Sequence, residues 1–242
     1  LPPAWNVGDS KPRSRPRWHC QRDQVVARAK GRDVIAVVIG VRNQAAYLGE
    51  ALDSVAGQTM PASKVVVVDD ASTDATAEVA KERGVTVISL PERQGPKTAR
   101  LIGAQRATAP WLVFLDGDDR LRPRHHELLL GAAESAQVDA AYGMVAEFAD
   151  AAVLDAGRFE VRTEPRLVPL TGSCVVRREL YFEAMKADPD PSGHDWFPVA
   201  DRIKSLAQVD EQVLERRIHG ENRTITEREQ VHAAYLAAAR AA

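Results

Sequence analysis

Three uninterrupted apolar runs limit what this chain can fold into more than any other feature. Val34-Ile35-Ala36-Val37-Val38-Ile39, the segment Lys64 to Val68, and Trp111-Leu112-Val113-Phe114-Leu115 are each too short for a typical helix and carry no polar alternation. Runs of this kind, rich in β-branched residues, are the pattern of strands covered on both faces. Each ends in a polar loop: Gly40 to Gln44, Asp69-Asp70-Ala71-Ser72-Thr73-Asp74, and Asp116-Gly117-Asp118-Asp119. Between them lie segments with helical periodicity. The first, 45–57, has Leu48, Ala51, Leu52 and Val55 on one face and Asn43 placed to cap it; others follow at 74–83 and 96–107, with a strand at 85–89. Alternating strands and helices predict right-handed βαβ units and a mainly parallel sheet. Ligands of such sheets sit at the carboxyl ends of the strands, so the three polar loops are expected to converge on one cleft.

The rhythm changes after the third run. A helix is expected at 123–136, with His125 and His126 on its exposed start, then strands at 138–148 and 158–163 that suit antiparallel pairing. Thr171 to Val176 leads into a helix at 177–186. A Pro/Gly loop at 188–194, a helix at 195–206, a strand near 213–218 and an alanine-rich helix at 226–240 follow. We read one domain over 33–225, made of two halves at 33–120 and 121–225. A basic, proline-containing arm over 1–32 precedes it and the helix of 226–242 follows it.

Charge and composition remove several classes of function. A net charge of −2 gives no general attraction to nucleic acid or anionic lipid. No stretch approaches the roughly 20 apolar residues of a membrane span, and residues 1–23 contain no signal-like apolar region. Two cysteines provide neither a disulfide framework nor a cysteine zinc cluster. A cytoplasmic protein is the expectation.

The acidic turn is the candidate for chemistry, with a solvated acidic turn as its alternative. Three carboxylates within four positions at a strand end repel one another and raise one another's pKa unless a cation sits among them. Oxygen donors of this kind suit a hard divalent ion, Mg²⁺ or Mn²⁺.

In this order and spacing, Val37-Val38-Ile39, Asn43, Val67-Val68-Asp69-Asp70-Ala71-Ser72-Thr73-Asp74 and Phe114-Leu115-Asp116-Gly117-Asp118-Asp119 resemble the family 2 glycosyltransferases of GT-A fold. Arg177-Arg178-Glu179, His194-Asp195-Trp196 and Ile218-His219-Gly220-Glu221-Asn222 extend the resemblance more sparsely. The resemblance implies a Rossmann-like, mainly parallel sheet flanked by helices, with a smaller antiparallel acceptor-side portion. It implies inverting transfer of a sugar from a nucleoside diphosphate, UDP favoured, to an acceptor hydroxyl, with Mg²⁺ or Mn²⁺ neutralising the leaving diphosphate.

By position, the family's roles fall on Asp118 as metal ligand, on Asp116 with Gly117 at the ribose, and on Asp70 at the base. Asp119 assists or orients. His219 aligns with a histidine that binds metal or diphosphate, with Arg223 close enough to help. Ile39, Val41 and Asn43 border the nucleotide, although Gly40 and Arg42 stand where the family usually has proline and tyrosine. Lys97 and Arg100 either meet the diphosphate or ribose or lie on a solvated helix face. Asp70 has capping as its alternative, although Ser72 or Thr73 suits the 74–83 helix better. Asp195 is the expected base, or else a helix cap, and His194 shares the proton transfer or contacts acceptor.

A haloacid-dehalogenase phosphatase would place its signature on the first strand. A nucleotidyltransferase would need a Gly-rich loop with Arg and Lys near 40–44. A non-catalytic nucleotide-sugar binder would be expected to lose one of Asp118, Asp195 or His219, and all are present. The acceptor is not legible: a small-molecule natural product is favoured over a lipid-linked or cell-surface glycan. A second copy of the chain is a possible partner.

Overall fold

In the computed structural model, residues 34–155, 160–168, 170–187 and 205–219 are described. The arm over 1–32, the helix expected at 226–240 and residues 195–204 of the helix expected at 195–206, and with them His194, Asp195 and Arg223, lie outside those residues; 205–206 are not helical.

The described residues form a nine-stranded sheet with helices on both faces. Its first half follows the expected alternation: β1 (Ile35–Val41), α1 (Ala45–Ala56), β2 (Lys64–Asp69), α2 (Thr76–Glu82), β3 (Thr86–Ser89), α3 (Pro96–Arg106) and β4 (Trp111–Asp116). β1 lies between β2 and β4 and pairs with both in parallel; β3 extends the parallel edge beside β2. The second half comprises β5 (Arg120–Leu121), α4 (His125–Ala136), β6 (Ala140–Phe148), α5 (Ala151–Asp155), β7 (Arg166–Leu167), a 3₁₀ turn (Thr171–Ser173), β8 (Cys174–Arg177), α6 (Arg178–Ala187) and β9 (Ala207–Arg217). β8 runs antiparallel to both β4 and β6, β5 antiparallel to β9, and β7 antiparallel to β6, whereas β6 and β9 are parallel.

The continuous apolar strands are explained by two cores. On one face Ile35, Val37, Ile39 and Val113 pack against Leu48, Leu52 and Val55 of α1 and Leu129 and Leu130 of α4. On the other face Ala36, Val38, Leu112 and Phe114 meet Ala104 of α3 and Tyr181, Ala184 and Met185 of α6. A strand buried from both sides has no position for a polar side chain. No helix among the described residues is long and apolar enough to cross a membrane.

Several local expectations are corrected. Asn43 does not cap α1. It adopts a positive φ of 52°, which asparagine tolerates, and its Oδ1 accepts the Thr73 N–H at 2.8 Å while its own N–H donates to Ser72 Oγ at 3.0 Å. The start of α1 is served from the next loop instead: Ala45 N–H donates to Asp74 Oδ2 at 3.1 Å and Gln44 N–H to Thr76 Oγ1 at 2.8 Å. Ser72 and Thr73 do not cap α2 either; the Asp74 carboxylate accepts the Thr76 N–H at 3.0 Å. Thus the loops after β1 and β2 are bonded to each other, and Asp74 serves the starts of both α1 and α2.

Residues 160–163 form no strand. Glu147 and Arg162 make one two-way contact, Glu147 N–H to Arg162 O at 2.8 Å and Arg162 N–H to Glu147 Oε2 at 2.9 Å, in place of a ladder. β9 begins six residues earlier than expected, because Gln208, Asp210, Glu211 and Gln212 mask its period.

His125 and His126 are fully buried, not exposed. Their rings contact at 5.4 Å between centroids, and each lies within hydrogen-bond reach of a main-chain carbonyl: His125 Nε2 to Gly172 O at 3.0 Å, His126 Nδ1 to Met60 O at 2.9 Å. Burial depresses both pKa values, that of His126 to about 4, and His126 lowers His125 further. Both are therefore neutral near pH 7 and donate to those carbonyls.

Candidate active site

The strand registers level the carboxyl ends. Gly40 of β1 is paired with Asp116 of β4, and Val41 with Asp69 of β2. The Asp70 N–H extends the ladder by donating to Val41 O at 2.8 Å. Asp69-Asp70 and the turn 116–119 therefore flank β1 at one edge, as the topology of a parallel sheet requires.

Asp70 is 4% exposed, and its two oxygens accept the N–H groups of Gln94 at 2.6 Å and Gly95 at 2.8 Å. It is not the cap of α2. It folds the 90–95 loop over the strand ends, where Gly95 takes a φ of +90° that a side chain would strain. The chain then enters α3 at Pro96, and the first turns of that helix deliver Lys97 and Arg100. Lys97 is buried, and the Arg100 guanidinium pairs with the Asp116 carboxylate. Neither residue lies on a solvated helix face. The side chains of Ile39 and Val41 belong to the core, so contacts at those positions would run through the main chain, while Arg42 and Asn43 are exposed.

Gly117 follows Asp116 because there is no room for a side chain. A Cβ there would lie 2.6 Å from Val41 Cγ1 and would also overlap Gln44 Oε1. The tight turn directs Asp118 and Asp119 inward, where they are 9% and 5% exposed. Asp119 Oδ1 accepts the Arg217 N–H at 2.9 Å. Burial, then the neighbouring Asp118 and Asp116 charges, push its pKa well above the usual carboxylate range.

Asp118 Oδ2 lies 2.9 Å from His219 Nε2, although the two residues are 101 apart in sequence. The His219 ring stacks on Tyr47, centroids 4.9 Å apart. β9 brings this about: its register with β6 sets Arg217 opposite Phe148, and Ile218 N–H continues the contact to Phe148 O at 2.8 Å.

The donor set fits a divalent ion in part. Two neighbouring corners of an octahedron with bonds of ~2.1 Å are ~3.0 Å apart, close to the separation of Asp118 Oδ2 and His219 Nε2. Among the described residues no group of three or more His, Cys, Asp or Glu forms a metal cage. Mg²⁺ in particular is commonly held by one or two protein donors together with phosphate oxygens and water. Asp118 and His219 would be those donors.

Of the residues singled out in the sequence, Asp70, Lys97, Arg100, Asp116, Gly117, Asp118 and His219 stand along the carboxyl ends of β1, β2 and β4 or on the elements tied to them. Sequence reasoning missed Tyr47 and Arg217. Tyr47 lies between helix positions read only for their apolar face. Arg217 sits in a charged run, Glu215-Arg216-Arg217, whose partners are far away in the chain.

Comparison with known proteins agrees with this fold. The family model described as glycosyl transferase family 2 matches residues 36–172. An uncharacterized glycosyltransferase of Haemophilus influenzae is 32% identical over 91 residues, which is 36% of each chain, so this chain spans about a third of that relative. The crystal structure of S. aureus TarS 1–349 with UDP-GlcNAc superposes with a TM-score of 0.62 at 19% identity, covering 78% of this chain and 60% of that one. Glucosyl-3-phosphoglycerate synthase from Mycobacterium tuberculosis, solved with Mn²⁺ and UDP-glucose, gives 0.63 at 23% identity, covering 93% and 84%. Both are GT-A glycosyltransferases, and the likeness extends the shared fold beyond the segment the family model matches. With that model covering more than half of its length, the chain belongs to glycosyl transferase family 2.

Proposed function

We propose that this protein is a divalent-metal-dependent, inverting glycosyltransferase that moves a sugar from a nucleoside diphosphate, UDP favoured, to an acceptor hydroxyl. The observation that carries the reading is the pair formed by Asp118 and His219, 2.9 Å apart at the carboxyl end of β4 and beside the Arg100–Asp116 contact. A carboxylate and an imidazole at that separation, near the Arg100 guanidinium that pairs with Asp116, suit a diphosphate whose negative charge grows as the sugar leaves. Mg²⁺ or Mn²⁺ held by Asp118 and His219 would supply Lewis-acid stabilisation of that charge. The UDP-sugar complexes of two structural neighbours, one with Mn²⁺, support the same nucleotide and metal class.

The remaining roles belong to this chain's own groups. Asp116 accepts from the ribose hydroxyls while Arg100 holds its orientation. Asp70, besides fixing the 94–95 loop, retains lone pairs for an imide N–H of the base, with Asn43 and the main chain at Ile39 and Val41 bordering it. Lys97 and Arg100 offset diphosphate charge. Asp195, aided by His194, takes the acceptor proton; both lie in the segment expected to choose the acceptor, for which a small-molecule natural product is favoured. We place the domain at 33–225, between the arm 1–32 and the helix 226–242, in a cytoplasmic protein.

Calorimetry with UDP, GDP and TDP, with and without Mn²⁺, tests the donor side. Metal-dependent binding of UDP is expected, and its loss in Asp118→Asn; nucleotide binding indifferent to both metal and Asp118 would overturn the proposal. Asp195→Asn should keep nucleotide affinity while losing transfer.

A further inference from the structure

Arg217 is 2% exposed and yet makes no contact that requires a substrate. Its Nη2 donates to Glu50 Oε2 at 2.6 Å, its Nη1 bonds Asp150, and its Nε donates to the main-chain oxygen of Asp118 at 3.2 Å. The guanidinium lies over two rings, 5.0 Å from the Tyr47 centroid and 4.5 Å from that of Phe148. Its own N–H is the one accepted by Asp119. A single residue thereby ties α1, the residue that leads into α5, and β9 to the acidic turn.

From these contacts we infer that Arg217 is a positioning residue for the Asp118–His219 pair, an inference that rests on the metal-dependent reading above. Two features distinguish it from an ordinary buried ion pair. It grips Asp118 by the carbonyl, so the turn is fixed through its backbone while the Asp118 carboxylate meets His219. It also packs on the ring that His219 stacks against, so both donors of the pair are set by one planar group. Glu50 and Asp150, each about half exposed, balance the guanidinium charge locally, and a cation can sit this close to a metal site without repelling the ion. Lysine would keep the charge but could not reach Glu50, Asp150 and Asp118 O together, because its ammonium is a point donor without the fork.

The test uses Arg217→Lys, with Mn²⁺ binding followed by electron paramagnetic resonance in the presence of UDP and stability followed by urea unfolding of the metal-free protein. Groups that orient metal ligands typically contribute about 10–100-fold in metal affinity. We expect a loss of that order in Mn²⁺ affinity, metal-independent UDP binding within about twofold of wild type, and partial recovery of turnover at excess Mn²⁺. A second pair of variants, Glu50→Gln and Asp150→Asn, loosens the guanidinium without creating a cavity and should weaken Mn²⁺ in the same direction if Arg217→Lys does not fold. Mn²⁺ affinity unchanged in the variants that fold, whatever their stability, overturns the inference. Mn²⁺ binding unchanged in Asp118→Asn would instead overturn the metal reading itself.

Discussion

Lowering the pH should destabilise this protein, and part of the loss can be assigned to one side chain. His126 is fully buried, donates from Nδ1 to Met60 O at 2.9 Å, and has its pKa lowered to about 4 by burial. In the unfolded chain an imidazole titrates near ~6.5. The folded pKa is the lower one, so the stabilising contribution is fully present above about 6.5 and is lost as pH falls toward about 4. Each unit in that window costs about 1.4 kcal/mol. At about pH 5 the loss from His126 alone is therefore about 2 kcal/mol, a large share of the roughly 5–15 kcal/mol that holds a typical domain.

Carboxylates also titrate there, so the wild-type curve alone would not isolate the histidine. His126→Asn keeps a donor toward Met60 O and removes the titration; the volume it loses costs stability equally at every pH. Chemical unfolding of both proteins at about pH 7.5 and about pH 5 should show the wild-type advantage shrinking by about 2 kcal/mol. His125, whose pKa His126 depresses, shifts the difference in the same direction. Parallel stability curves over that range would refute the assignment.

Gly117→Ala should destabilise the acidic turn by about 1–3 kcal/mol, the usual cost of overpacking, and should weaken Mn²⁺ binding with it, since Val41 Cγ1 lies 2.6 Å from the new Cβ; a melt within a degree of wild type would argue against the crowding. Asp70→Asn sets an amide N–H₂ against the N–H of Gln94 or Gly95. A stability loss of about 1–3 kcal/mol is expected by urea titration, together with lower nucleotide affinity by calorimetry. Cys174 is 2% exposed and burial pushes its thiol pKa up, so iodoacetamide should label it only after denaturant is added, as site-resolved mass spectrometry would show.

The nucleotide-side half was legible because its signals are local. A strand buried on both faces has to be apolar throughout, so β1, β2 and β4 could be read from composition alone, and with them the edge on which Asp70, Asp116 and Asp118 stand. The parts that could not be read depend on distant partners. Asn43 has the composition of a cap, but whether it caps α1 or bonds Thr73 depends on a loop 30 residues away. His125 and His126 follow proline and arginine and look solvated; only the packing of α4 against Met60 and Gly172 buries them. Arg217 is one charge among several, and its partner Glu50 is 167 residues distant. No window along the chain contains both halves of such a pair.

The parallel pairing of β6 with β9 has a consequence for how the molecule comes together. Strands β1 to β4 can pair as each βα unit is completed, but Asp118 waits for His219 across 101 residues. Closing so long a loop is entropically unfavourable until the surrounding contacts reward it, and chains made from the N-terminus fold in that order. A molecule that has formed its first half therefore possesses the acidic turn without its histidine. Integrity of the Asp118–His219 pair is thus a late report on completed folding.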